Sequence, residues 1–112
     1  MDKLIFSYNW NNKLSCDYFT TLRLHNKVMY YTGNVFSVHL KKGRDIPRVC
    51  DAVVIKVLVL NFNQINEYIA GLDTGLNVKE CKELIMKLYD NSDIDWSTQW
   101  LNFVLLKKIE EL

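Results

Sequence analysis

Arg23 is the residue from which chemistry is most readily argued. It stands between Leu22 and Leu24 in a segment that alternates like a strand, so its guanidinium must reach either solvent or a paired anion. As a ligand group it is a planar fork able to grip a phosphate or a base edge. As a structural group it is half of an ion pair with an acidic side chain. Sequence leaves both open. A second concentration of charge is Lys41, Lys42, Arg44 and Arg48, with Asp45 as the one acid among them, in a Gly- and Pro-containing stretch that reads as a loop. It is either a solvated surface or a set of phosphate contacts. Tyr8, Trp10, Tyr18, Tyr30 and Tyr31 fall in the same part of the chain, where rings either stack bases or fill a core.

Other chemistries lack their residues. Cys16, Cys50 and Cys81 are odd in number and show no zinc-ligand spacing, and His25 and His39 have no second ligand at a diagnostic interval, so neither a disulfide framework nor a metal site is expected. The chain contains no P-loop, G-x-G-x-x-G, G-x-S-x-G or H-E-x-x-H pattern, and no cofactor is implied. His39 reads as a solvated residue on the polar face of its strand, and Cys81 as part of an apolar helix face.

The net charge of +1 argues against a strongly basic nucleic-acid binder, but it hides an asymmetry. Residues 1–60 hold nine Lys or Arg against four Asp or Glu, giving +5, and residues 61–112 hold five against nine, giving −4. One end of the molecule is therefore expected to be cationic. No uninterrupted apolar run exceeds four residues, as in Val57–Leu60, far short of the ~20 that span a bilayer. The start of the chain lacks the pattern of a secretory signal, so a cytoplasmic protein that does not engage a membrane is the expectation.

These residues must be positioned by elements that the pattern also suggests. With 112 residues, 49% apolar, the chain reads as one domain, 1–112, with a single core. Strands are expected at Lys3 to Asn9 and Phe19 to Leu24, joined by a turn-rich or short helical connection, then at Val28 to Tyr31 and Val35 to Lys41 about a Thr32-Gly33-Asn34 reversal. In the second of these, Thr20, Leu22 and Leu24 face one way and Phe19, Thr21 and Arg23 the other. Ala52 to Leu60, apolar on both faces apart from Lys56, reads as a central strand covered from two sides. Asn63 caps a short helix ended by Gly71. Asn77 and Glu80 open a second helix whose Val78, Cys81, Leu84, Ile85 and Leu88 share one face. After an acidic loop of Asp90, Asp93 and Asp95 comes a final strand, Gln99 to Lys108, with Trp96 and Trp100 packing it against the helices. The order predicts an α+β domain with a curved or barrel-like mixed sheet and two helices inserted before the last strand.

Several segments, in order, carry a family likeness: Thr21-Leu22-Arg23, the run Tyr31-Thr32-Gly33-Asn34-Val35-Phe36-Ser37-Val38, the apolar strand Ala52 to Leu60, the two helices, the second ending Leu88-Tyr89, and the closing strand. Over residues 4 to 108 the chain resembles the ASCH family, small β-barrel domains related in fold to RNA-binding PUA domains and found as compact units in bacteria and their phages. Some members resemble amidohydrolases that remove an acetyl group from acetylcytidine, using a lysine, a threonine and a glutamate. Carried over by resemblance, Thr21 matches the threonine, Tyr18 stands at the lysine position, and the glutamate position falls near Asp73 or Thr74. Lys13 reaches the site only if the preceding connection brings it in. Tyrosine, titrating near ~10, is a poor base at neutral pH, and Asp73 is one carbon shorter than glutamate.

The resemblance and the charge asymmetry together imply a domain that binds a nucleotide, modified nucleoside or RNA near Tyr18, Thr21, Arg23 and Lys13, with Lys41, Lys42, Arg44 and Arg48 as phosphate contacts. The alternatives are a deacetylating amidohydrolase acting through Thr21 and Asp73, and a protein-interaction adaptor whose pocket is vestigial and whose Asp90 to Asp95 loop meets a partner.

Overall fold

The computed structural model describes residues 1–90 and 93–109. Strand β1 (Asp2–Phe6) leads through a 3-10 turn (Trp10–Ser15) to β2 (Tyr18–Leu24), β3 (Val35–Leu40) and the long β4 (Arg48–Asn61). A second 3-10 turn (Phe62–Gln64), α1 (Glu67–Thr74) and α2 (Val78–Leu88) precede β5 (Trp100–Lys108). The five strands form one sheet in the order β1-β3-β4-β5-β2, with β1 parallel to β3 and every other pairing antiparallel. The architecture is therefore a compact mixed α/β domain built on a curled half-barrel.

Alternation explains why the sheet has a core on each face. In β5, Val104 and Leu106 pack with Phe36, Val38, Ala52 and Val54 inside the curl. Leu101 points the other way and packs with Leu22, Leu60, Ala70, Cys81 and Ile85 beneath the helices. The expectation of a single core gives way to two, because α1 and α2 cover one end of the outer face while the curl buries the inner one. Register shifts between Val38 and His39 and between Val54 and Lys56 add the local twist that bends a sheet. The curl brings the two edge strands together, so that Phe6 of β1 meets Phe19 of β2 edge to face, ring centroids 6.1 Å apart.

Other expectations change as well. Val28 to Tyr31 is not a strand: Asn26 accepts hydrogen bonds from the backbone N–H of Val28 and Met29 and folds the segment into a turn. β4 is central, but it is not covered from both sides, since Ile55, Leu58 and Val59 are 39%, 45% and 55% exposed. Its outer face extends beyond what two short helices reach. The first helix is capped by Asn66 and ends at Gly75, which adopts a left-handed φ of 74°; Gly71 lies inside it. Asn61, not Asn63, caps the short turn before it. Trp96 packs on Phe62 and Tyr89, whereas Trp100 is half exposed and packs little. The cap of α2 is as the sequence suggests, with the Asn77 side chain accepting from the Glu80 N–H at 2.8 Å.

Candidate functional site

A cleft of about 240 Å³ opens where the edge strands β1 and β2 approach each other beside α1 and α2. Its apolar wall is supplied by Phe6, Leu22, Leu84, Ile85 and Leu88, and its polar groups include Lys13, Thr21, Arg23, Lys41 and Asp73, with Ser7 and Thr74 beside them. Tyr8 and Trp10, in mutual contact with ring centroids 4.7 Å apart, also line it.

Lys13 enters because the first 3-10 turn is kinked. Asn11 and Asn12 adopt positive φ values of 57° and 51°, a conformation that asparagine tolerates better than most residues. Asn9 accepts the Leu14 N–H and pins the far side of the turn. Asn11 in turn donates to the carbonyl of Gly71, which docks the turn on α1. Lys13 is consequently buried, and its Nζ donates to both the side-chain Oδ1 and the backbone carbonyl of Asp73, each at 2.9 Å. Thr20 donates to the same Oδ1 at 3.0 Å. Burial pushes the Lys13 ammonium below its ordinary value, Asp73 opposes this, and the neighbouring Arg23 cation adds to it.

Arg23 makes a different set of contacts. Its Nε donates to Thr21 Oγ1 at 2.8 Å, its Nη2 donates to the carbonyl of Ile5 at 2.9 Å, and its guanidinium lies 4.9 Å from the Phe6 ring centroid. The fork thus joins β2 to β1 across the open edge of the sheet. An ion pair with an acidic side chain, one of the two roles expected for it, is not formed: among the described residues no carboxylate pairs with Arg23. Thr21 is buried with its oxygen accepting from Arg23.

The remaining candidates divide. Tyr18 is half exposed at the start of β2, where it packs under the Lys107 ammonium in a separate surface cleft. It therefore does not occupy the site near Thr21, because alternation and the strand's end carry it away. Of the basic loop, Lys41 lines the cleft. Lys42 and Arg44 sit on an exposed turn closed by the Lys42–Asp45 bridge, and Arg48 pairs with Asp51 at 3.1 Å. Those three do not line it. His39 is held on both nitrogens, by Ser37 at 2.8 Å and the Ile46 carbonyl at 3.1 Å, rather than simply solvated. Cys81 is fully buried, as a core residue should be. The acidic loop from Asp90 to Asp95 includes residues 91 and 92, which lie outside the described residues.

One participant escapes the sequence reading. Thr20 is the hydroxyl that meets Asp73, and its signal was its place beside Leu22 on the strand face that turns toward the helices. Trp10, one of the rings the sequence offers either for stacking or for core, lines the cleft with its indole Nε1 buried and, among the described residues, without an acceptor. No group of three or more His, Cys, Asp or Glu able to hold a metal occurs among the described residues, and none of their helices is long and apolar enough to cross a membrane.

No protein-family model, curated protein or solved structure matches the chain.

Proposed function

We propose that the chain is an ASCH-like, PUA-related domain that binds a nucleoside, a nucleotide or the exposed base of a short RNA in the cleft between β1, β2 and the helices. The observation that carries this reading is the convergence of Arg23, Thr21, Lys13 and Asp73 on one mostly apolar cleft, the usual makeup of a small-molecule site. At about 240 Å³ the cleft lies just under the ~300 Å³ at which drug-sized pockets begin. That suits a single base with its sugar, and not a duplex. A thermal-shift screen of nucleosides and nucleotides on the wild type and Arg23→Ala tests it, because a ligand that binds the folded state alone raises its apparent stability. The wild type should discriminate among bases and the variant should not. Unchanged preference in Arg23→Ala, with only its melting temperature lowered, overturns the assignment.

The buried Lys13 amine favours a second reading, hydrolysis of an acetylated exocyclic amine to acetate and the free amine. Here Lys13, its pKa lowered by burial though paired with Asp73, shares a cleft with a threonine hydroxyl, and only after giving up its proton could its amine act as base for a hydroxyl nucleophile. Two threonines are available, Thr21 and Thr20, and the second is the one bonded to Asp73. Acetate release from acetylcytidine, abolished in Thr21→Ala and retained in Thr20→Ala, would support the role implied for Thr21. Absence of any release by the wild type rejects catalysis.

A further inference from the structure

The charges in the cleft do not balance. Among the described residues Asp73 is the single carboxylate in its lining, and Lys13 already neutralises it through a buried contact at 2.9 Å. Arg23 and Lys41 line the same cleft, and among the described residues no carboxylate pairs with either. Both are tied to β1. Arg23 donates to the carbonyl of Ile5 on the open side of β1, and the Lys41 N–H bonds the carbonyl of Phe6, the next residue, on the β3 side. The two residues are thus anchored to consecutive residues of one edge strand, and both line the cleft. Arg23 and Lys41 bring donors only, beside the hydroxyls of Ser7, Tyr8 and Tyr89, and the buried Trp10 N–H has no acceptor among the described residues.

From this surplus of cations we infer that the ligand of the cleft carries an anionic group, a phosphate monoester or carboxylate, bound by Arg23 and Lys41 while its ring rests on the apolar wall. The inference rests on the proposed nucleoside-binding reading and narrows it: a nucleoside 5′-monophosphate fits and a neutral nucleoside leaves both cations unanswered. Arg23 is well placed for the task, since its Nε and Nη2 are fixed by Thr21 and Ile5, and a guanidinium that is already oriented loses less freedom when it binds. Lys41 is exposed and directly follows β3, so it supplies charge from the surface.

Calorimetric titration of the wild type with cytidine, uridine, adenosine and guanosine, their 5′-monophosphates, and inorganic phosphate alone tests the inference. At low salt the best monophosphate should bind at least about tenfold more tightly than its nucleoside, the size of effect a charge-assisted contact gives. The advantage should shrink as salt is raised, and Lys41→Ala should remove most of it while leaving the melting temperature of the unliganded domain unchanged. A nucleoside that binds as tightly as its monophosphate overturns the inference and leaves the nucleoside reading standing. Binding of inorganic phosphate without any preference for a base supports the anion site and rejects the nucleoside reading. Failure of every anion to bind, or a monophosphate advantage that survives Lys41→Ala, overturns the placement proposed here.

Discussion

Lys13 and Asp73 set an energetic problem for the fold. Both side chains are more than nine-tenths buried, and removing two charges from water costs several kcal/mol per ion unless each is well satisfied. Here the ammonium has two acceptors on one residue, and the carboxylate takes a further bond from Thr20. Deleting one partner leaves the other charged and alone, so Lys13→Met should destabilise the domain by about 3–5 kcal/mol in urea denaturation. The double variant Lys13→Met/Asp73→Leu should recover most of that loss. The pH dependence follows from the lowered Lys13 pKa. Holding the proton in the folded state carries a cost that is complete below the folded pKa. It is relieved as pH rises from there toward the ordinary 10.5, because in that window the unfolded chain binds the proton more strongly. The stability of wild type relative to Lys13→Met should therefore rise with pH just below 10.5, and a flat or falling difference would refute the assigned shift.

Among the elements, the two glycines of the α1 region show what a sequence can and cannot convey. Gly71 looks like a helix stop, yet it sits inside α1, and a Cβ added there meets nothing within 4 Å. Gly71→Ala should stabilise the domain by about 0.5–1 kcal/mol, the ordinary gain of alanine over glycine in a helix. Gly75 is the true terminus. Its φ of 74° is left-handed, and a Cβ there would stand 3.2 Å from Asn11 Oδ1, so Gly75→Ala should cost at least about 1–2 kcal/mol. Opposite signs in the two denaturation curves verify the boundary, and equal signs would contradict it. The α2 cap was legible because Asn77 and Glu80 stand at capping distance in the chain. The strands β2, β3 and β5 were legible through their alternation. The end of α1 was not, because either glycine satisfies the local rules and only the docking of the Asn11 turn selects between them. The same limit governed the site. Arg23 and Thr21 lie on one strand and can be read together, whereas the meeting of Lys13 with Asp73 depends on a kinked turn and a helix end with no local signature.

Over the whole molecule, the sheet curls without closing, and its free edges meet through side chains: the Arg23 bond to Ile5 and the packing of Phe6 on Phe19. Backbone amides of β4 and β5, flanked by strands on both sides, should therefore show the slowest hydrogen exchange, and those of β1 and β2 faster exchange. Uniform protection across the sheet would show that the edges are locked more firmly than side-chain contacts imply. The strand order has a further bearing, on how the chain is made. β2 carries Thr21 and Arg23, yet its hydrogen-bonded neighbour is β5, where Thr21 lies opposite Val104. During synthesis β2 leaves the ribosome before β3, β4 and both helices and waits, unpaired, until β5 emerges. Loop closure of that length is slow, so β1, β3 and β4 can assemble first while the cleft remains unformed. The cleft is thus complete only once β5 has been made, and a ribosome stalled before β5 would display β1, β3 and β4 without the paired β2 that carries Thr21 and Arg23.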